Sequence, residues 1–349
     1  MKDASVGIVA IGRNEGERLR RCLDSTCGRG RVVVYVDSGS TDGSVALARS
    51  RGAEVVELDP HVPFTASRAR NEGFQRLLER APDTDLVQFV DGDCELDSAW
   101  LERAASELDR HSELAIVCGR RRERAPDASI YNRLCDMEWD TPIGEATDCG
   151  GDGLVRVEAF REAGGFDPAL IAGEEPDLCL RLRVRGWKIV RIDAEMTLHD
   201  AAMTRASQWW ARAVRNGHAA AEGVTRYGAG GEHHHVRHVA SFLCWSALPL
   251  ASLLASALAW FAGSPKLALW LPLAALAALC VPAWRAARTR IARGDRFSHS
   301  LLYGASCLLG KLPAAMGVLR YWRDRRRGRS RGWIEYKDQP AGPGAGAAR

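Results

Sequence analysis

The sequence predicts an α/β domain with a mostly parallel sheet, followed by a membrane-inserted helical hairpin. Short β-branched runs alternate with segments whose apolar residues recur at helical spacing in the N-terminal part of the chain. Two long runs near residue 250 contain no charged residue. The 349 residues, 46% apolar and 26% charged, are enough for two or three domains. This composition excludes wholesale disorder and a fibrous repeat.

The first elements follow the order strand, helix, strand. Residues 5–11 (SVGIVAI) and 31–36 (RVVVYV) are apolar, β-branched strands, and the segment between them places Leu19, Cys22 and Leu23 on one helical face. The N-terminal apolar run is too short for a signal peptide. We therefore expect it to be a buried first strand.

The same alternation continues to residue 91. A helix is predicted after the turn at 37–43, a strand at 53–58 (AEVVEL), a helix at 66–81 and a strand at 85–91 (DLVQFVD). In sheets of this kind, ligands bind beyond the carboxyl ends of the strands. The polar residues that follow each strand are therefore the candidates for a site.

The uncharged runs at 239–264 and 267–284 predict a transmembrane hairpin. The first exceeds the ~20 residues that cross a bilayer, and the second is near the lower limit of roughly 17. Tryptophans stand toward the ends of both runs, as interfacial anchors do: Trp245, Trp260, Trp270 and Trp284. A buried hairpin in a soluble domain is the weaker interpretation, because both runs are apolar all round.

A third apolar stretch, residues 301–319, has Lys311 near its middle and apolar residues at helical spacing: Leu301, Ala305, Leu308, Leu312, Ala315 and Leu319. We predict an amphipathic helix in the membrane plane, which keeps the arginine-rich segments at 285–296 and 320–331 on the cytoplasmic side. Residues 285–349 hold 15 Lys and Arg against four Asp and Glu. This charge is expected to bind anionic lipid rather than nucleic acid.

The predicted organisation has five parts: a catalytic domain at 1–222, a His-rich linker at 223–238, the hairpin at 239–284, a basic, amphipathic membrane-surface region at 285–331, and a disordered tail at 332–349. The His run at 233–235 is interpreted as a solvated linker rather than a metal site. Ten cysteines form no CxxC pair, which favours reduced thiols on the cytosolic side.

Three acidic motifs carry the candidate chemistry. Asp37 opens a Gly- and Ser-rich turn after a strand, which suits either a ribose contact or an ordinary helix cap. Asp91-Gly92-Asp93 ends the next predicted core strand, where two carboxylates can hold Mg²⁺ or Mn²⁺. The cluster at 174–177 precedes a helix and is either a favourable helix N-terminus or the source of a general base.

Together the motifs resemble the inverting, nucleotide-sugar glycosyltransferases of family 2, which have the GT-A fold. They occur in the family's order: IGRNE at 11–15, VDSGSTDGS at 36–44, ASRARNEG at 66–73, DGD at 91–93, GGDGLVRVEAFREAGGFD at 150–167, GEEPDLCLRLRVRGW at 173–187 and HD at 199–200. The resemblance covers residues 6–218. It implies a metal-dependent transfer of a sugar from a nucleoside diphosphate to an acceptor hydroxyl.

The resemblance also implies residue roles. Donor-binding residues would be Asn14, Glu15, Asp37, Asp42, Arg70, Asp91 and Asp152. The divalent cation would be held by Asp93, with Asp91 and His199 as further ligands. The family's usual Glu-Asp pair is Glu174-Glu175 here, so Glu175 is the expected base, with Glu174 and Asp177 as the alternatives. No clean QxxRW motif follows, which favours a single-addition enzyme.

The enzyme is accordingly expected at the cytoplasmic membrane as a multi-pass protein with its catalytic domain in the cytosol. Its expected partners are a nucleotide-sugar donor, anionic lipid and a lipid-linked acceptor, in cell-surface polysaccharide or glycolipid synthesis. Two other functions remain open. A nucleotidyltransferase shares a similar sheet and metal carboxylates, but the first turn has no Gly-rich loop followed by a basic residue. A catalytically inactive membrane scaffold is the other alternative.

Overall fold

A computed structural model describes residues 4–28, 30–230 and 232–328. The chain divides into two compact units, the first ending at Met203 and the second beginning at Thr204. The domain end predicted at residue 222 therefore falls inside the second unit, because the helix that holds residue 222 packs with the other helices of that unit. The predicted tail at 332–349 lies outside the described residues.

The first unit holds all the strands of the described residues. They are β1 (Val6–Gly12), β2 (Val33–Asp37), β3 (Glu54–Glu57), β4 (Leu86–Asp91), β5 (Cys94–Leu96), β6 (Leu114–Glu123), β7 (Gly144–Glu145), β8 (Gly153–Arg156) and β9 (Lys188–His199). Its helices are α1 (Glu17–Thr26), α2 (Ser44–Ser50), α3 (Ala66–Arg80), α4 (Trp100–Arg110), α5 (Ile130–Trp139), α6 (Val157–Glu162) and α7 (Glu174–Val184).

One mixed sheet runs in the order β3-β2-β1-β4-β8-β6-β9-β5, and β7 pairs with β9. The four strands β3, β2, β1 and β4 are parallel, as the sequence alternation predicts. β8 enters antiparallel between β4 and β6, and β5 is antiparallel to β9. The predicted α/β class is confirmed, with an antiparallel part that the periodicity did not reveal.

Both faces of the sheet are covered, which explains why its central strands are apolar at successive positions. Ile8 and Ala10 of β1 face α1 and α4 with Tyr35 of β2, in a core that includes the fully buried Trp100. The alternate residue Val9 faces the opposite side, where α3, α6 and α7 pack. The strand ends are thereby fixed between two helical layers.

The second unit is helical in its described part. It contains α8 (Ala206–Tyr227), α9 (Val236–Phe261), α10 (Pro265–Ala292), α11 (Phe297–Leu309) and α12 (Lys311–Arg326). Three stretches are long and apolar enough to cross a membrane: α9, α10 and the run from Phe297 to Arg326. The predicted apolar hairpin is therefore present as α9 and α10. α10 extends past Trp284, and its last turns hold residues 285–292 of the first arginine-rich segment.

The predicted amphipathic helix at 301–319 is two helices that meet at Gly310. Leu301, Leu312 and Leu319 of its apolar stripe are 41%, 50% and 56% exposed. Ala315 of the same stripe is buried, together with Ala314, Gly317 and Val318, in α12, which packs on α8. The orientation of this run to a membrane stays a prediction, since its length and composition also permit it to span.

α8 and α12 approach each other through glycine. A Cβ placed on Gly217 would lie 1.9 Å from the carbonyl oxygen of Ala314, and one on Gly317 would lie 2.1 Å from that of Val214. No side chain larger than hydrogen fits either position. The crossing therefore depends on two glycines, one in each helix.

Gly317→Ala is expected to destabilise the second unit by about 1–3 kcal/mol, because the added methyl overlaps a backbone carbonyl and forces the helices apart. Thermal unfolding of the detergent-solubilised chain measures the effect. Ala251→Val adds carbon atoms at an exposed position of α9 and serves as the control. Equal midpoints for the two variants would contradict the close crossing.

Candidate active site

Two loops at the carboxyl ends of β1 and β2 are held together by Asn14. Its backbone N–H donates to Ser40 Oγ (2.9 Å), and its Oδ1 accepts from the backbone N–H of Thr41 (2.7 Å). Asn14 is buried and has a φ of 54°, in the left-handed region that asparagine tolerates better than most residues. Asn14, which is predicted to bind the nucleotide, therefore fixes the two loops relative to each other.

Asp37 and Asp42 bond mainly within these same turns. Oδ2 of Asp37 accepts from the backbone N–H groups of Gly39 (2.9 Å) and Ser40 (2.7 Å), and Oδ1 accepts from the hydroxyl of Tyr35 (3.0 Å). Asp42 accepts from the N–H of Gly16 and from Ser44 at the start of α2. Both of these predicted donor-binding carboxylates therefore fix the loop backbone.

The Asp91-Gly92-Asp93 turn lies against β1. The N–H of Gly92 donates to the carbonyl of Ile11 (2.7 Å), and a Cβ at Gly92 would lie 3.0 Å from that same oxygen. The Cγ of Glu15 lies 3.4 Å from the same Cβ position, so this predicted donor residue borders the turn. A side chain at position 92 would therefore crowd the backbone of β1 where the two carboxylates are brought to the strand end.

Arg70 connects two of the acidic motifs. Its Nη2 lies 2.8 Å from Oδ1 of Asp91, and its Nη1 lies 2.8 Å from Oε1 of Glu174. Burial disfavours the charge of the guanidinium, but the two carboxylates outweigh burial and raise the pKa of Arg70. α3 therefore supplies a fixed cation between the end of β4 and the start of α7.

His199 ends β9 beside Asp93. Its Nε2 lies 3.4 Å from Oδ2 of Asp93, and its Nδ1 lies 3.8 Å from Oε2 of Glu123. The ring also packs edge-on against Trp139, with the ring centres 4.5 Å apart. All four residues are in the first unit. The structure thus brings together two predicted metal residues, Asp93 and His199, that are distant in the sequence.

Asp152 is fully buried beneath Asp91. It accepts from the N–H of Asp91 (3.2 Å) and from Thr197 Oγ1 (2.9 Å), and its Oδ2 lies 2.8 Å from Nη2 of Arg121. The donor contact implied for Asp152 stays a prediction. In the structure its buried carboxylate holds the backbone of Asp91 and the guanidinium of Arg121.

The three acids at the start of α7 point to three different places. Glu174 pairs with Arg70, and Asp177 lies 2.7 Å from Nη2 of Arg181 one turn along the helix. Glu175 accepts at Oε1 from the N–H of Cys149 (2.5 Å) and from Sγ of Cys179 (3.0 Å). Burial, with a smaller contribution from Asp148, raises the pKa of Glu175.

The chain is similar in sequence and in fold to known proteins. Residues 5–164 match the model of glycosyl transferase family 2. The N-terminal domain belongs to this family. A pre-mycofactocin glycosyltransferase of Mycobacterium tuberculosis is 28% identical over 64% of this chain and 48% of its own length. A TPR repeat-containing protein of Synechococcus elongatus is 31% identical over 44% of this chain and 38% of its own length. This chain thus spans less than half the length of these relatives.

The family 2 domain also has a solved structural relative. A mannosyltransferase from Pyrobaculum calidifontis, in complex with GDP-Man and Mn²⁺, superposes with a TM-score of 0.55 at 18% identity, covering 90% of this chain and 86% of that chain. At this identity the likeness shows the fold alone. The predicted GT-A fold is thereby confirmed.

The family 2 domain offers a donor set that fits a divalent cation. Asp93, Cys94 and His199 have ligand atoms within 4.8 Å of one another, and Nδ1 of His199 is buried without a hydrogen-bond partner among the described residues. The thiol of Cys94 is a soft donor and therefore a poor ligand for a hard ion. Carboxylate and imidazole therefore remain, a set that suits Mn²⁺.

Sequence reasoning missed Arg121 and Glu123, which lie on β6 of the same domain. They stand in the run RRRE, which has no motif that distinguishes them from surface charge. β6 runs parallel to β9, and the register pairs Glu123 with His199. Only that strand pairing shows that these residues border the candidate site.

Proposed function

We propose that this chain is a metal-dependent, inverting glycosyltransferase that moves a sugar from a nucleoside diphosphate donor to an acceptor hydroxyl. One observation carries the proposal: the Asp91-Gly92-Asp93 turn at the end of β4 contacts the buried cation Arg70 through Asp91 and His199 through Asp93. A divalent cation and a cationic side chain are what a departing diphosphate needs. The family membership of the domain supports the same reaction class.

The residues that would hold the cation are Asp93 and His199, with Asp91 adjacent in the same turn. Bound there, the ion would supply Lewis-acid stabilisation of the charge on the leaving diphosphate. Arg70 is held at a fixed position by Asp91 and Glu174, so it costs little reorganisation when charge develops. Glu123 would orient His199 from the other side of the ring.

Glu175 is proposed as the general base. Both of its hydrogen bonds among the described residues are made to Oε1, which leaves Oε2 to take the proton of the acceptor hydroxyl. Its burial raises its pKa, which brings a carboxylate closer to the range that suits a base. The acceptor oxygen then attacks the anomeric carbon as the diphosphate leaves, and a single displacement inverts that carbon.

The activity is tested with purified chain, Mn²⁺ and a panel of nucleotide sugars. Release of nucleoside diphosphate that depends on both metal and chain supports the proposal. A true donor should also stabilise the fold, by about 2.7 kcal/mol at a concentration of 100 Kd. Release of inorganic pyrophosphate from a nucleoside triphosphate would instead indicate a nucleotidyltransferase. Donor binding without turnover of any acceptor would indicate an inactive scaffold.

The same proposal places the catalytic domain in the cytosol, anchored by α9 and α10 in the cytoplasmic membrane. The support is the pair of apolar helices and the arginine-rich segments that flank them. Anionic lipid and a lipid-linked acceptor are then the fitting partners, in synthesis of a surface polysaccharide or glycolipid.

Topology reporters fused after residue 230 and after residue 349 are expected to show both positions in the cytosol, because two spans return the chain to its starting side. A fusion inside the hairpin turn at Gly263 serves as the control and should report the opposite side. A C-terminal signal on the far side would mean that the run from Phe297 to Arg326 also spans.

A further inference from the structure

A second cluster of metal-ligating side chains lies around Glu175. Sγ of Cys149 and Sγ of Cys179 are 3.9 Å apart, and Sγ of Cys179 is 3.0 Å from Oε1 of Glu175. All three residues have ligand atoms within 4.8 Å of one another. The cluster is separate from the Asp93 and His199 pair, and no step of the proposed transfer uses its thiols.

The spacing of these atoms matches a tetrahedral zinc site. With Zn–S bonds of about 2.3 Å, two sulfur ligands of a tetrahedral ion are about 3.8 Å apart, close to the 3.9 Å between the two sulfurs here. Two thiolates and one carboxylate leave a fourth position open, as in catalytic zinc sites. Thiolate ligands also select Zn²⁺ over the hard ions that suit Asp93.

The local backbone favours such a site. Glu175 and Cys179 are one turn apart on α7, so they project from the same helical face. Glu175 is in the first turn of that helix, whose dipole favours negative charge there. Cys149 is half-buried in the segment before β8, next to the exposed Asp148, and so provides an entry path from solvent.

We propose that Cys149, Glu175 and Cys179 form a Zn²⁺ site, and that Zn²⁺ bound there inhibits sugar transfer. Binding replaces the two thiol protons, which pass to solvent, with two Zn–S bonds and adds a bond to the Glu175 carboxylate. A carboxylate that ligates Zn²⁺ through Oε1 is a much weaker base at Oε2, because the charge of the ion stabilises the unprotonated form. The inhibitory part rests on the proposed function, whereas the binding part does not.

Binding is tested on the full chain in detergent, stripped of metal and kept reduced. Titration with Co²⁺ as a spectroscopic probe should give thiolate-to-metal charge-transfer absorption, and Zn²⁺ should abolish it by displacing Co²⁺. Cys149→Ser and Cys179→Ser each remove a direct ligand and should weaken Zn²⁺ binding by more than the roughly 10–100-fold that loss of an outer-shell partner costs. Cys27→Ser, which removes a half-buried thiol at the end of α1, should bind as the unmodified chain does.

The binding part is overturned if a chain whose thiols titrate as reduced gives no thiolate absorption, or if Cys149→Ser leaves the absorption unchanged. Position 149 lies in a loop, so Cys149→Ser is expected to fold and keeps the test decisive even if Cys179→Ser does not fold. A disulfide between Cys149 and Cys179 that persists in the presence of reductant would also overturn the binding part.

Inhibition is tested in the Mn²⁺ assay, with each variant compared with its own rate without Zn²⁺. Zn²⁺ should suppress transfer by the unmodified chain at least tenfold and leave the relative rate of Cys149→Ser nearly unchanged. Equal suppression of both would overturn the inhibitory part. If no transfer is found at all, the proposed function fails, while the Co²⁺ spectrum still decides whether the site exists.

Discussion

Asp93→Asn is expected to reduce donor turnover by about 10³-fold, which corresponds to roughly 4 kcal/mol of lost transition-state stabilisation. The amide keeps the volume of the side chain but removes the negative charge that a hard cation requires. Asp93 is buried, and the same substitution removes its charge beside His199. Steady-state rates with Mn²⁺ and thermal unfolding of the variant measure the two effects separately.

Asp83→Asn is the matched control, because it makes the same chemical change at an exposed position before β4. It should retain both activity and thermal midpoint. Isothermal titration with Mn²⁺ adds a readout that does not depend on turnover, and Asp93→Asn should weaken that binding. A folded Asp93→Asn variant with near-normal activity would show that the cation is held elsewhere.

Glu175→Gln is expected to reduce transfer by about 10²–10⁴-fold while leaving donor affinity within a few-fold, because a base touches the acceptor rather than the diphosphate. Glu174→Gln should instead weaken donor binding, since it removes a partner of Arg70. Asp177→Asn should have the mildest effect on turnover, because its carboxylate pairs with Arg181 within the same helix. Donor affinity and kcat for the three variants distinguish these roles.

Glu158→Gln, at an exposed position of α6, controls for the loss of a glutamate charge. The assignment is wrong if Glu175→Gln transfers sugar normally while Glu174→Gln binds donor but does not turn over. In that case the base is the acid beside Arg70, and Glu175 belongs only to the cysteine cluster.

Local sequence determined the parallel half of the fold. The β-branched runs at 5–11, 31–36 and 85–91 became β1, β2 and β4, because strands buried on both faces have near-continuous apolar residues. The uncharged runs became α9 and α10. An apolar stretch of about 20 residues has the length of a helix that crosses a bilayer, so its structure is also predictable from local sequence. β8 and β5 were not predicted, since each is an antiparallel strand whose partners in the sheet are distant in the sequence.

The sequence by itself also determined which strand ends carry carboxylates, because Asp37 and Asp91 follow apolar runs directly. Tertiary structure alone decided what those carboxylates contact. Residues far apart in the chain, such as Arg70 and Glu174, meet only when α3 and α7 pack on one face of the sheet. Local patterns report burial and periodicity, whereas a side chain's partner is fixed by the packing of whole elements.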